Sequence, residues 1–141
     1  NMTRSYYLMK SEPETWSWEQ QVKVGAKGEG WDGVRNYQAS NNMKKMKKGD
    51  LCFFYHSVKE RDVVGIVKVV KEYHPDPTDK SKRFGMVSVS AVKALKKRVN
   101  LDQIKSDKRL NHLALVKQSR LSVMPIDKKS WTIICNLGGI K

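Results

Sequence analysis

Two apolar runs joined by a polar connection constrain the fold of this 141-residue chain more than any other feature. Residues 51–55 and 63–70 are rich in β-branched and aromatic side chains, whereas residues 59–62 between them are polar. This pattern predicts two buried strands that follow each other in the chain. Residues 6–9 predict another strand, and so do residues 86–92, where apolar and polar side chains partly alternate.

Short helices are predicted between these strands. Ser17 followed by Gln20 fits a capping box, which marks the start of a helix. Asn36 can cap a second helix that runs to about Lys47, with Gly49 as its stop signal.

The last third of the chain completes the predicted domain. Residues 100–104 predict a one-turn helix, residues 121–124 predict a last strand ended by Pro125, and Asp127 caps a final helix. Five or six strands flanked by short helices predict one α+β domain over residues 1–141. Its sheet is expected to be mixed and curled, or closed into a small barrel.

The chain is strongly basic. It has 28 Lys and Arg against 14 Asp and Glu, which gives a formal net charge of +14. The excess is larger in residues 71–141, with 16 basic and 6 acidic side chains, than in residues 1–70, with 12 and 8. Such a charge attracts polyanions such as nucleic acid. Because lysine supplies most of it, a generally lysine-rich surface is an equal alternative.

Several classes of protein do not fit the sequence. No run of about 18 apolar residues is present, so we expect no membrane span. Because a strand-like segment follows the first few residues directly, we expect no signal or transit peptide. Cys52 and Cys135 lie in apolar runs and are predicted to be buried in a reducing compartment. The histidines and cysteines lack metal-site spacing, and we expect a monomer without metal or cofactor.

Residues 28–57 contain the side chains of a small binding pocket. The stretch combines aromatic residues with an arginine, amides, a histidine and a serine, and glycines break residues 28–34 into a strand or turn. Aromatic faces can stack on a flat polar ring, while amide, hydroxyl and imidazole groups can bind its edge. We therefore expect a site for one planar heterocycle.

Three residues near this pocket are candidates for ligand contact, each with a structural alternative. Trp31, which lies between glycines, is either a core residue or a stacking wall. Asn36 is either only a helix cap or also directs its amide and the positive helix end at a ligand. Ser11, after the first strand, either caps a turn or donates to the edge of a base.

Tyr55, His56 and Ser57 end a predicted strand, where side chains alternate between two faces. His56 must therefore point away from Tyr55 and Ser57. We expect Tyr55 and Ser57 to face the pocket, and His56 is either a ligand-contacting or a structural histidine.

Basic residues near these motifs are candidates for phosphate binding. Arg35 and Arg120 either contact phosphate bidentately or brace the pocket by pairing with an acid such as Glu12. The second predicted helix has a basic face, which is either a solvated surface or a track for the backbone beside a flipped-out base. The candidates on this face are Lys44, Lys45 and Lys48.

Five mostly polar motifs are spread over the chain. They are Tyr7–Pro13 (YLMKSEP), Trp31–Ala39 (WDGVRNYQA), Phe54–Ser57 (FYHS), Tyr73–Pro77 (YHPDP) and Arg120–Val123 (RLSV). Together these motifs resemble the EVE domain family, and the likeness covers nearly the whole chain.

The resemblance implies a PUA-like fold, related to the YTH readers of methylated adenine. It also implies binding of a modified base, typically a 5-substituted cytosine, in an aromatic-walled cleft. Animal members of the family carry a basic N-terminal tail that is absent here. We therefore expect the cytoplasm of a bacterium, or the nucleus if the protein is eukaryotic.

Three functions are compatible with the sequence. The first is a non-catalytic reader that binds DNA or RNA and takes one modified base into the pocket. The second is an enzyme acting on modified nucleosides. Its candidate acid, base and nucleophile are Lys10, Glu12, His56 and Ser57. The third is a domain that binds a metabolite, or polyanions in general. The lack of a nucleophile-elbow motif and of an obvious carboxylate pair favours the reader.

Overall fold

The apolar segments form one six-stranded sheet in the computed structural model, which describes residues 4–140. The strands are β1 (Tyr6–Ser11), β2 (Glu29–Gly30), β3 (Leu51–His56), β4 (Asp62–Pro75), β5 (Gly85–Asn100) and β6 (Val123–Ile126). The helices are α1 (Trp18–Lys23), α2 (Tyr37–Lys44), α3 (Leu101–Ser106), α4 (Ala114–Lys117) and α5 (Lys128–Leu137), with a 3₁₀ turn at Gly25–Lys27. The predicted α+β class is confirmed.

Strand β1 lies inside the sheet although it comes first in the chain. The strand order is β2-β5-β4-β3-β1-β6. β1 runs parallel to β3 and antiparallel to β6, and all other neighbours are antiparallel. The expectation of a mixed sheet is therefore confirmed. Within residues 4–140 its hydrogen bonding does not close into a barrel, because β2 and β6 form two edges.

Side-chain caps fix the starts of the first two helices as predicted. The Ser17 hydroxyl accepts a hydrogen bond from the Gln20 N–H at 3.2 Å, and Gln20 Oε1 accepts one from the Ser17 N–H at 2.8 Å. Asn36 Oδ1 accepts a hydrogen bond from the Ala39 N–H at 2.8 Å. These bonds satisfy N–H groups that the helix backbone leaves free.

Several boundaries differ from the prediction. α2 ends at Lys44, sooner than expected. β4 and β5 form a long hairpin, so β4 reaches Pro75 and β5 continues to Asn100. α4 was not predicted, because a single helical turn is too short to show a periodic pattern. Pro125 lies within β6 instead of ending the strand, since an edge strand tolerates a residue without an N–H.

Aromatic residues of β3 pack against both faces of the sheet. Phe53 stacks on Trp131 of α5, with ring centres 3.8 Å apart. Phe54 meets the edges of Trp18 and Trp31, each with ring centres 5.4 Å away. Because consecutive strand residues point to opposite faces, both faces of β3 are buried. This packing fixes Trp31 and the start of α1 against the sheet.

Gly65 of β4 makes room for Trp18. A Cβ atom at residue 65 would lie 2.4 Å from the Trp18 ring, so only glycine lets α1 place its first side chain directly on the strand.

Cys52 and Cys135 are buried and unbonded, and burial raises the pKa of the Cys135 thiol to about 11. No helix within residues 4–140 combines the length and the apolar character that a membrane crossing requires.

Candidate functional site

A cleft of about 940 Å³ opens where strands β1 and β3 end. Neighbouring parallel strands end at the same edge of a sheet, which brings Lys10 and Ser11 beside Tyr55. The loop after β2, the connection between β3 and β4, helices α3 and α4, and residues 119–122 form the walls. The volume lies in the range of small-molecule sites, so this cleft is the candidate site.

Trp31 is both a core residue and a wall of the cleft. It is only 8% exposed, packs edge-on against Phe54 at 84°, and donates its backbone N–H to Val87 O at 2.7 Å. It also lines the cleft, together with Tyr55 and Trp16. Trp31 is therefore a core residue that also borders the cleft, and its role as a stacking wall stays a prediction. The core holds the indole rigidly beside the opening.

Asp76 holds the loop that follows Trp31. Its carboxylate is buried, and Oδ2 accepts hydrogen bonds from the Gly33 N–H at 2.9 Å and from Arg35 Nη1 at 3.1 Å. Oδ1 accepts from the N–H and the hydroxyl of Thr78 at 2.7 and 2.6 Å. Burial raises the pKa of this carboxyl, but the hydrogen bonds outweigh burial and hold the pKa below its ordinary value. Asp76 is therefore ionised at neutral pH.

Arg35 braces the cleft through this carboxylate. Its partner is Asp76 and not Glu12, and a second guanidinium nitrogen donates to the Thr78 hydroxyl at 2.9 Å. The guanidinium also lies 5.9 Å from the centre of the Phe84 ring. The side chain is 40% exposed and lines the cleft. Bracing is thus the role that the structure assigns to Arg35, and phosphate contact stays a prediction.

Lys10 and Tyr55 lie side by side at the base of the cleft. Lys10 Nζ donates to Ser119 O at 2.9 Å and lies 5.8 Å from the centre of the Tyr55 ring. Burial and the nearby Arg61 guanidinium lower the pKa of Lys10. Burial raises the pKa of the Tyr55 hydroxyl to about 12. At neutral pH, Tyr55 is therefore protonated and can donate a hydrogen bond.

Ser11 and Ser57 both line the cleft. The Ser11 hydroxyl donates a hydrogen bond to Trp16 O at 2.5 Å. This bond is the one expected if Ser11 caps a turn. The Ser57 N–H donates to Ser11 O at 2.9 Å, so the two serines are adjacent. In the described part of the chain, no side-chain hydrogen bond occupies the Ser57 hydroxyl. Of the two serines, Ser57 is the better placed to bind a ligand.

His56 does not face the cleft. It is 2% exposed and points away from Tyr55 and Ser57, as the strand alternation predicts. Its Nε2 accepts a hydrogen bond from the Trp18 N–H at 3.1 Å, and its Nδ1 lies 2.9 Å from Glu60 Oε1. One neutral tautomer, with the proton on Nδ1, satisfies both contacts. A ligand-contacting role for His56 is therefore wrong, and the structural alternative holds.

Asn36 lies outside the main cleft. Its side chain caps α2 and borders a smaller groove of about 260 Å³. This groove shares Ser119 and Arg120 with the main cleft. It is otherwise lined by Gln38, Gln118 and Leu121. Arg120 thus lies where the two openings meet, while Asn36 does not contact the opening beside Trp31.

The lysines of the second helix do not reach the cleft. Lys44 ends α2, and Lys45 and Lys48 lie in the connection to β3. That connection precedes Leu51, whereas the cleft lies at the other end of β3, about 17 Å further along the strand. The backbone track that was expected beside the pocket at these three lysines is therefore in the wrong place.

Some lining residues are not apparent from the sequence as ligand contacts. Trp16, Arg61 and Lys105 line the cleft but belong to none of the five motifs. They reach the cleft from the loop after β1, the connection between β3 and β4, and helix α3, respectively. Only the tertiary fold brings these three segments together. The one local clue is that Trp16 follows the YLMKSEP motif.

The fold and the cleft define a class of protein, a small α+β domain with an aromatic-walled site among basic residues at the end of its parallel strand pair. The family model described as EVE domain matches residues 5–137. The chain belongs to the EVE domain family. Thymocyte nuclear protein 1 of Homo sapiens is 34% identical over 166 residues, covering 94% of this chain and 73% of that protein.

Solved structures resemble the domain over nearly its full length. Protein Atu2648 from Agrobacterium tumefaciens has a TM-score of 0.95 at 45% identity, covering 96% of this chain and 94% of that one. Human THYN1 protein in complex with 5-methylcytosine-containing DNA has a TM-score of 0.89 at 32% identity, covering 97% and 99%. The YTH domain of Zygosaccharomyces rouxii MRB1, at a TM-score of 0.56, 16% identity and coverage of 98% and 89%, is similar in fold alone. The expected PUA-like fold is confirmed.

Proposed function

We propose that this protein is a non-catalytic reader of nucleic acid that takes one modified base, a 5-substituted cytosine, into the cleft beside Trp31. The observation that carries the proposal is the cleft itself. An aromatic side chain fixed by the core borders an opening of about 940 Å³. The complex of human THYN1 protein with DNA containing 5-methylcytosine supports the choice of ligand.

The lining offers each kind of contact that a methylated cytosine needs. Stacking of a base on an aromatic side chain contributes about 1–3 kcal/mol, and Trp31 and Tyr55 both line the cleft. The Tyr55 and Ser57 hydroxyls can bind the polar edge of the base. Leu115 and Val116 supply apolar surface, on which one methyl group is worth about 1–3 kcal/mol.

The cleft accepts a base only when the base has left the helical stack. A duplex must therefore extrude the nucleotide, which costs a few kcal/mol, whereas a single strand presents it more readily. We propose that single-stranded DNA or RNA binds more tightly than the matched duplex. The same titrations, performed with DNA strands and with RNA strands, decide which of the two nucleic acids binds more tightly.

The positions of the candidate catalytic groups support binding over catalysis. The His56 imidazole does not lie beside the Ser57 hydroxyl, because His56 is turned to the other face of β3 and is bonded at both nitrogens. Lys10 is held by Ser119 O at 2.9 Å. Incubation of modified nucleosides with the protein, followed by mass spectrometry, tests this point. Multiple turnovers would assign an enzyme instead.

Titration of tryptophan fluorescence with matched oligonucleotides tests base reading. Strands that differ only in one 5-methylcytosine should differ at least about fivefold in affinity, the equivalent of about 1 kcal/mol. Tyr55→Phe removes one hydroxyl from the cleft that can bind the polar edge common to both bases, and should weaken both strands. Tyr37→Phe removes the same group from an aromatic residue that is 58% exposed and does not line the cleft, and should leave both affinities unchanged.

Equal affinity for the methylated and unmethylated strands would refute base reading. If binding also disappears at modest salt and ignores sequence, the protein is a general polyanion-binding domain.

Trp31→Phe keeps an aromatic ring in the core and is preferable to Trp31→Ala, which would also remove a core side chain. Trp31→Phe should weaken both strands, because the smaller ring gives less stacking surface.

A further inference from the structure

We infer that the cleft is a nucleotide site with a fixed polarity. A phosphate of the ligand lies on the side formed by α3 and residues 119–120, bound by Arg61, Lys105 and Arg120, and the base lies towards Trp31. The inference rests on the proposed function, because it orients a nucleotide within the proposed site. It also replaces Lys44, Lys45 and Lys48, which lie away from the cleft, as the groups that bind the backbone.

Three cations on one side of the cleft are free to bind an anion. Arg61, Lys105 and Arg120 line the cleft and are exposed. Among residues 4–140, no carboxylate lies within 4.0 Å of these side chains, and none of the three donates a side-chain hydrogen bond. Guanidinium groups bind phosphate bidentately, and an ammonium group binds it as a point charge. Their donors are therefore available to a phosphate.

The fold brings these three cations together. The backbone N–H that begins α3 donates to Arg61 O at 2.8 Å, which places Arg61 beside the helix that carries Lys105. Lys10 lies between this pair and Arg120. Its Nζ donates a hydrogen bond to the carbonyl oxygen of Ser119, the residue before Arg120, at 2.9 Å. Arg61 is also close enough to lower the pKa of Lys10. A phosphate bound between these cations would reduce the electrostatic repulsion between Arg61 and Lys10.

The opposite side of the cleft is less favourable for phosphate. Glu29 and Asp32 line it, next to the loop that contains Trp31. Arg35 on that side is already paired with the buried carboxylate of Asp76 at 3.1 Å. A phosphate there would meet two carboxylates, and Arg35 could bind it fully only by leaving a buried charge unpaired. The electrostatic difference between the two sides therefore sets the direction of the nucleotide.

The smaller groove offers a path for the rest of the strand. It begins at Ser119 and Arg120, next to the assigned phosphate position, and extends to Asn36 at the start of α2. Gln38 and Gln118 line it, and amide side chains can bind sugars, phosphates or base edges. A strand that leaves the cleft past Arg120 would therefore follow this groove.

The test compares 5-methyl-2′-deoxycytidine with its 3′,5′-bisphosphate, which carries the two phosphates that flank a base in a strand. NMR titration of the tryptophan indole N–H signals covers the millimolar range. We expect the bisphosphate to bind at least about tenfold more tightly than the nucleoside. Arg61→Gln, Lys105→Gln and Arg120→Gln should each weaken binding of the bisphosphate several-fold more than binding of the nucleoside. All three sites are exposed, so the fold is retained.

Lys44→Gln and Lys45→Gln are the matched controls, since they remove the same charge from exposed sites away from the cleft. Equal affinity of nucleoside and bisphosphate, or an equal loss of the ratio in the controls, would overturn the inference. If the ratio behaves as expected but cytosine and 5-methylcytosine compounds bind alike, the phosphate position stands and the proposed base reading fails. A methyl preference without a bisphosphate advantage would retain base reading and overturn the phosphate position.

Discussion

Replacement of Asp76 by asparagine would isolate what one buried carboxylate contributes to the cleft. Each carboxylate oxygen accepts two hydrogen bonds, Oδ2 from Gly33 and Arg35, and Oδ1 from the two donors of Thr78. Asparagine keeps the shape but has one acceptor oxygen, so its NH₂ group must face two donors. A hydrogen bond to a charged group contributes about 1.5–3 kcal/mol. Because Arg35 is 40% exposed and Thr78 is also accessible, we expect the net loss to be about 3 kcal/mol.

For a domain of this size, a loss of about 3 kcal/mol lowers Tm by about 9 °C. Thermal unfolding at pH 7 measures the shift. The loop of Gly33 and Arg35 would also be less ordered before the ligand binds. Ordering it again costs about 1 kcal/mol, so the affinity for the oligonucleotide with 5-methylcytosine should fall about fivefold at 25 °C.

Asp79→Asn is the matched control for this experiment. Asp79 also accepts four hydrogen bonds, from the N–H and hydroxyl of Ser81 and from the N–H groups of Arg83 and Phe84. None of these donors lines the cleft. Both variants should therefore lose stability, but only Asp76→Asn should lose affinity. An unchanged Tm for Asp76→Asn would refute the reasoning, and so would an equal loss of affinity in both folded variants.

Three further predictions concern stability. Gly65→Ala should lose about 2 kcal/mol in urea unfolding, because the new Cβ would lie 2.4 Å from the Trp18 ring, and an unchanged midpoint would contradict this contact. His56→Leu should lose about 2 kcal/mol, since the buried Trp18 N–H loses its acceptor, while His56→Gln should recover part of it. Equal losses in the two variants would mean that only packing matters. Hydrogen bonds, first from the Ser81 hydroxyl, hold the pKa of Asp79 at about 2 in the folded state, below its ordinary 3.8. The stability that this ionised carboxylate contributes is fully present at pH values above the ordinary pKa of 3.8. It is lost as the pH falls through the folded-state pKa of about 2. The urea midpoint should therefore fall over that interval, and less so in Asp79→Asn.

Features that depend on neighbouring residues could be predicted from the sequence. The capping box of Ser17 and Gln20 involves residues three apart, and it forms as expected. The alternation of Tyr55, His56 and Ser57 depends only on strand geometry. The length of β5 and the existence of α4 could not be predicted, because pairing with β4 and tertiary packing decide them.

The residues of the site also divide into those that local sequence predicts and those that only the tertiary fold brings together. Trp31, Tyr55 and Ser57 belong to recognisable motifs, and the structure places all three on the cleft. Lys44 is close in sequence to the Trp31 motif, yet β3 separates its end of the molecule from the cleft. Arg61 lies in an ordinary polar connection, and no local pattern distinguishes it from a solvated arginine. Proximity in space, not in sequence, decides which cations line the cleft.

The central position of β1 has a consequence during biosynthesis. Its partners are β3 and β6, so the first strand of this sheet to be synthesised acquires its second neighbour only when the last strand of the sheet has emerged from the ribosome. The cleft likewise combines Lys10 and Ser11 with residues 119–122. A nascent chain, or a fragment, that stops before these residues therefore lacks part of the cleft, and the proposed ligand can bind only after the whole domain has been synthesised.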